Sequence, residues 1–309
     1  MQQPPIPSAH GVLRLTDWGL IRAIGPDARS FLQGQLTQDV LSLEPGQFRL
    51  AGYCNPKGRL FATFLVWSGG DDELLLACSA DLLPATLKRL SMFVLRAKCK
   101  LVDATAELAL WGVAGTQAAK GQPGAVLRDG PVTHLRLHDA AVGARGVARA
   151  IVAVPSGQVL EGAPLDAHAW EALEARSGVA RVVEATRERF VPQMVNFELV
   201  GGINFHKGCY PGQEVVARSQ YRGALKRRAF AARAAVPMVP AQEIFHSADP
   251  GQPAGTVVLA GSLGDGMVDA LVELKIDATG AGTLHLGAVD GPQLLLSSLP
   301  YALPQAQAA

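Results

Sequence analysis

The chain has 309 residues, of which 49% are hydrophobic and 18% charged, with a formal net charge of +1; this suits two or three domains of ~100–150 residues and excludes a disordered or fibrous chain. No apolar run approaches the ~20 residues of a membrane-spanning helix, and Met1–His10 holds three prolines without a basic-then-apolar leader pattern. The near-neutral balance gives no reason to expect direct nucleic-acid binding, and a cytoplasmic location is expected.

Taken in chain order, Val12–Ile24 reads as two short strands about Thr16-Asp17-Trp18-Gly19. Gly25-Pro26-Asp27 then opens a helix in which Phe31, Leu32, Gln35 and Leu36 recur at helical spacing. Phe48–Val66 predicts a β-hairpin around Asn55-Pro56-Lys57-Gly58, with Pro and Gly at the second and fourth turn positions. The strand Leu74–Cys78 follows. After it comes a helix with Leu83, Leu87, Leu90 and Val94 on one face, and then a strand over Lys98–Val102. Leu108–Val113 begins a further strand-then-helix unit and Ala150–Val154 is another strand, while the Gly- and Ala-rich stretch between them gives no assignment. Asp166 is a good N-cap for a helix over Ala167–Arg176, with Gly178 just past its end. Phe190–Asn196 reads as extended, its Gln193 and Asn196 amides suited either to a ligand's polar edge or to capping turns. From Ala229 onward short apolar strands separated by Gly, Asp and Pro turns predict a small β-barrel. The expectation is an α+β fold with one region over residues 1–228 and a C-terminal barrel over 229–309.

Cys54, Cys78, Cys99 and Cys209 lie far apart, with no C-x-x-C pair, so the spacing suggests reduced thiols and no metal site. Cys209 differs from the rest in its surroundings. It sits in Lys207-Gly208-Cys209-Tyr210-Pro211-Gly212-Gln213-Glu214, following Ile203-Asn204-Phe205, which alternates as a short strand does, and preceding about two turns of helix. A thiol before a helix N-terminus is favoured as thiolate. Against that stands the usual role of a free Cys as a small buried hydrophobe. Trp18 and Trp170 present the same pair of readings, core packing or stacking on a flat heteroaromatic ligand.

The motif around Cys209, followed by Tyr221-Arg222-Gly223-Ala224-x-Lys226-Arg227, resembles the signature of the YgfZ-type folate-binding proteins. These are relatives of the glycine-cleavage T-protein, an aminomethyltransferase, and include a mitochondrial iron–sulfur assembly factor. Phe31-Leu32-Gln33-Gly34-Gln35-Leu36-Thr37-x-Asp39, Lys57-Gly58, Pro192-Gln193-x-x-Asn196 and Pro300-Tyr301-x-Leu303 fall in the order this family expects. The resemblance implies two interleaved ferredoxin-like lobes and a C-terminal β-barrel in a three-lobed ring around a central pocket. It also implies binding of tetrahydrofolate or another folate, and support of iron–sulfur client proteins, including radical enzymes that thiomethylate tRNA. Carried over by position, Cys209 becomes the functional thiol with Lys207 beside it. Gly208, Tyr210, Gly212, Gln213 and Glu214 complete the motif, and Trp18, Trp170, Asn196 and Arg222 become folate contacts, with Lys226, Arg227 and Arg228 as further candidates for the ligand's carboxylates.

One departure bears on activity. The T-protein has an Asp pair after the glycine corresponding to Gly58, whereas Arg59-Leu60-Phe61-Ala62-Thr63 has no carboxylate. Aminomethyl transfer of the T-protein type is therefore the second reading, because it lacks its obvious proton-handling group. A cysteine hydrolase is disfavoured by the absence of any matching His pattern.

Overall fold

In the computed structural model, which describes residues 9–143, 146–221 and 225–304, the chain begins with β1 (Gly11–Arg14), β2 (Trp18–Ile24), α1 (Ala28–Gln33), β3 (Phe48–Cys54), β4 (Leu60–Gly70), β5 (Glu73–Ser79), α2 (Leu83–Met92) and β6 (Lys100–Asp103). It continues with β7 (Leu108–Ala114), β8 (Val126–Asp129), β9 (Val132–Arg136), β10 (Arg149–Pro155), α3 (Ala167–Arg176) and α4 (Gln213–Tyr221). The last strands are β11 (Arg227–Ala234), β12 (Glu243–His246), β13 (Gly255–Gly261), β14 (Val268–Lys275), β15 (Leu284–Leu286) and β16 (Gln293–Ser297). No helix among the described residues is long and apolar enough to cross a membrane.

Two open antiparallel sheets and a closed barrel result. One sheet runs β3-β4-β5-β2-β6, the other β1-β7-β10-β9-β8, and the barrel closes as β11-β14-β13-β12-β15-β16. The chain changes sheet twice over very short connections. After β1 the Leu15 amide donates to Leu110 O at 2.9 Å, holding the first sheet edge, while three residues later Trp18 pairs with Ser79 in the other sheet. The second change falls between β6 and β7. Strands adjacent in sequence thus lie in different sheets, which interleaves the two α+β units as expected.

Helix α3 packs between the β1-β7-β10-β9-β8 sheet and the barrel. The Asp166 side chain accepts from the His168 and Ala169 amides, fixing its start. Trp170 lies on Gly112 of β7, where a Cβ would fall 2.9 Å from the indole. On the other side Gly261 of β13 permits close approach, since a Cβ there would be 2.2 Å from the Ala172 nitrogen. An Arg176–Asp269 ion pair of 2.8 Å ties the helix end to β14.

Several local expectations differ from the structure. The unassigned Gly- and Ala-rich stretch contains the β8–β9 hairpin, and the helix expected after β7 is only a 3-10 turn, Thr116–Ala118. The Phe190–Asn196 stretch ends in a 3-10 turn, Pro192–Val195, with Asn196 left-handed at φ 56, because its amides bond backbone groups and fold it back. Ile203–Phe205 forms no strand; its Asn204 amide donates singly to Thr37 O at 3.0 Å. Strand β12 also escaped the sequence reading.

Candidate functional site

Two features attract chemistry, a cavity between the open sheets and the loop bearing Cys209. The cavity is narrow, about 40 Å³, and is lined by Trp18, Thr63, His138, Arg149, Glu174 and Arg181 among apolar neighbours. Phe48, Leu50 and His138 also line an adjoining cleft of about 360 Å³ bordered by Gln38, Arg49 and Asn204. The two spaces are therefore neighbours across these three side chains.

Its charges are held by backbone and by each other. Arg181 donates to Asp17 Oδ2 at 2.7 Å, to Glu174 Oε2 at 3.0 Å and to Ser79 Oγ at 3.2 Å. The same guanidinium lies 4.9 Å from the Trp18 ring centroid. Burial pushes the Glu174 carboxyl above its ordinary range, with Asp17 adding to the rise and Arg181 opposing it. Arg149 is 3% exposed and makes no ion pair among the described residues; its Nε donates to His138 O at 3.2 Å. Desolvation pulls this guanidinium down to about 10. The Trp18 indole N–H is buried without an acceptor. The Trp67, Trp111 and Trp170 indoles share that state, and Glu174 and Asp139 act on Arg149 at longer range, so a ligand bringing acceptors would add partners here and not neutralise a bare charge.

The expected folate contacts divide in position. Trp18 lines the cavity. Trp170 does not; it is 1% exposed against Gly112, with Arg149 5.6 Å from its ring centroid. Asn196 lies outside the cavity too, donating to Ala229 O at 2.9 Å and to Tyr301 OH at 3.3 Å as a bracket between the barrel and the C-terminal segment. Arg222 lies outside the described residues. Arg227 and Arg228 are taken up by Glu273 and Glu198 respectively. Glu174, Arg149 and Arg181 were missed. For Glu174 a signal existed, since it falls four residues after Trp170 on the inner face of α3.

The thiol loop is built differently. Tyr210-Pro211-Gly212-Gln213 is a type II turn, with Pro second, Gly212 third at φ 78 and the Gln213 amide donating to Tyr210 O at 3.2 Å. Gly212 is required twice over, because a Cβ would lie 2.4 Å from Asn55 O and 2.6 Å from Gly58 Cα of the β3–β4 turn. The Lys207 ammonium donates to Gln33 O and, at 2.5 Å, to Leu36 O, satisfying carbonyls at the end of α1. It also stands 5.1 Å from the Tyr210 ring centroid. Burial draws Lys207 down to about 8, opposed by Asp39 and Cys209. Gln213 and Glu214 open α4, and Glu214 pairs with Arg218 on the exposed face at 3.2 Å. Gly208 and Cys209 are exposed, and Cys209 borders none of the three cavities described. The other cysteines pack instead. Burial pushes Cys54 and Cys78 up to about 12, and Cys99 is half-buried.

Relatives match this architecture along nearly its whole length. A "tRNA-modifying protein YgfZ" of Edwardsiella ictaluri is 35% identical, over 98% of this chain and 97% of its own. The chain belongs to the YgfZ family. The YgfZ protein of Sodalis glossinidius is 33% identical over 97% of this chain and 96% of its own. Residues 7–124 match the GCVT N-terminal domain. Outside the YgfZ proteins, the glycine cleavage system aminomethyltransferase T of Bartonella henselae shares the fold, with a TM-score of 0.73 at 16% identity over 95% of this chain and 87% of that one. In this chain Thr63 on β4 stands at the cavity wall, its hydroxyl accepting from the Val182 amide at 3.0 Å, and the cavity's carboxylate comes from α3 through Glu174.

Proposed function

We propose that the chain holds a tetrahydrofolate in the cavity between its two open sheets and, through the outward-facing Cys209, supports iron–sulfur enzymes that modify tRNA. The observation that carries this reading is the unmatched polar set in the cavity, namely Trp18 Nε1 without an acceptor and Arg149 without a counter-ion, beside the Glu174 carboxyl. A pterin's aminopyrimidinone edge offers N–H donors to a carboxylate and carbonyl and ring-nitrogen acceptors to N–H groups. Glu174 would take the first and Arg149 and Trp18 the second. The aminobenzoylglutamate tail suits the adjoining cleft, whose wall carries the Arg49 guanidinium. A pterin is several times larger than the narrow cavity, so binding there requires the cavity to widen around Trp18 and Arg149.

A folate supplies one-carbon chemistry when bound; the chain's own residues hold and orient it and exclude water. The exposure of Cys209 favours a thiol that meets a client over one that attacks the ligand. The name borne by the relatives, tRNA-modifying protein, supports placing the output in tRNA modification. Calorimetry with tetrahydrofolate, paired with the level of thiomethylated tRNA in cells carrying Cys209→Ala, tests both halves. Saturable binding and a fall in thiomethylation are expected. Absence of heat on titration removes the folate half, and normal tRNA in the variant removes the thiol half.

A further inference from the structure

A cavity of about 990 Å³ lies where α3, the end of β5 and the barrel meet. It shares only Glu174 and Arg181 with the narrow cavity, so the Asp17–Arg181–Glu174 cluster forms a wall between the two. Four carboxylates line the larger space, Asp17, Asp81, Glu171 and Glu174, against one guanidinium and one imidazole, Arg181 and His168. Those two cations are already engaged, Arg181 by Asp17 and Glu174 and His168 by Glu171 at 3.0 Å. Its opposite side is an apolar strap from the barrel, Pro237-Met238-Val239-Pro240, in which Val239 is 59% exposed.

We infer that this cavity receives an extended segment of a partner protein in which Lys or Arg alternates with apolar residues. The acidic wall complements the cations and the strap takes the apolar side chains. Polypeptide suits the site better than other cations. The lining has no aromatic side chain to cage an alkylammonium, and its carboxylates repel nucleic acid. The two prolines keep the strap out of the barrel's strand pairing, and among the described residues the Met238 amide donates to no other backbone group. Val239 is engaged at both its amide and its carbonyl by Gln242, so the strap offers a partner its apolar side chains and not a strand edge. Because the acidic wall is also the back of the narrow cavity, a cation seated on Asp17 or Glu174 competes with Arg181, which stacks on Trp18. Occupancy of one side is thereby linked to the other. The inference stands on the larger cavity alone and does not depend on which ligand the narrow one takes.

The test uses the full-length chain in its native cells with p-benzoylphenylalanine in place of Val239, and a control with the same group at exposed Leu127 of the distant β8. After irradiation, mass spectrometry identifies the crosslinked residue in the partner. Crosslinks at Val239 within segments carrying Lys or Arg next to apolar residues are expected, with yield falling about fivefold when Glu171→Lys is added. Crosslinks to acidic segments, a yield indifferent to Glu171→Lys, or no crosslinking above the Leu127 control each overturn the inference. Tetrahydrofolate titration of the same Glu171→Lys chain, expected to be unchanged, reports separately on the narrow cavity.

Discussion

The narrow cavity keeps its charges out of water, whereas the thiol loop leaves the Cys209 sulfur in it. Arg149, Glu174 and Arg181 are each at least nine-tenths buried, and the cavity's polar groups are only partly matched. Burial of that kind costs stability that a ligand recovers on binding. The Cys209 loop spends less, its one desolvated charge being the half-buried Lys207. Its anchors, Lys207, Tyr210 and Gly212, are drawn inward while Gly208 and Cys209 remain exposed. Under the proposed function, holding a ligand and presenting a thiol would be served by separate structures joined through the β3–β4 hairpin, which lines the cavity with Phe48 and Thr63 and meets Gly212 at its turn.

The strongest way to break this contrast is at the buried cluster. Arg181→Met leaves Glu174 without its cation and is expected to cost about 3 kcal/mol or more, read from the urea midpoint. A loss within about 0.5 kcal/mol, as at an ordinary surface site, means that the cluster is solvated and resembles the thiol loop. Next in size is Gly212→Ala. The left-handed backbone and the contact with Asn55 O predict a loss on the order of 2 kcal/mol, together with altered alkylation kinetics at Cys209. Unchanged stability and unchanged labelling would show the turn and the hairpin to be independent.

Arg149→Met separates binding from stability. Tetrahydrofolate affinity is expected to fall about tenfold to a hundredfold, as for loss of a charged hydrogen bond. The ligand-free chain is expected to hold its stability or gain about 1 kcal/mol, because an unpaired buried cation has been removed. Calorimetry and denaturation on one preparation read both quantities. Destabilisation without loss of affinity reverses the assignment and makes Arg149 a structural residue.

How far these regions could be read from sequence follows the same division. The Asn55–Gly58 turn, the Asp166 cap and the short helix after the Cys209 motif are local chemistry, and each forms where expected. The barrel was legible from its strand spacing, apart from β12, four residues between turns that offer too few alternations to detect. Strands β8 and β9 were hidden because β8 is mostly exposed, β9 is half-buried over its first three residues, and their flanks are rich in Gly and Ala. The motif located the thiol but not its setting. Lys207 reads as an activating amine beside Cys209, yet it caps carbonyls some 170 positions earlier in the chain, as the separation of 171 residues from Leu36 records. The cavity is the least legible part. Arg149 begins a strand among alanines and Arg181 stands in an irregular segment, and only the crossing of the chain between sheets brings both to Trp18.

Lys207 gives the smallest effect, with a sign that distinguishes its two roles. Its folded pKa of about 8 lies below its ordinary 10.5, so between those values the unfolded chain binds more protons than the folded one. Stability must then rise as pH climbs from about 8 towards 10.5. Below that window the ammonium is charged in both states and its burial penalty is present in full. Lys207 is half-exposed, so solvent screening keeps the whole rise below about 1 kcal/mol. Lys207→Gln removes it while retaining a donor for the Gln33 and Leu36 carbonyls. Urea midpoints of the two chains at about pH 7 and about pH 10 should therefore diverge, with the wild type gaining relative to the variant. Parallel midpoints would place the ammonium in water, and with it the whole loop, leaving Cys209 on a mobile arm instead of on a platform fixed to α1.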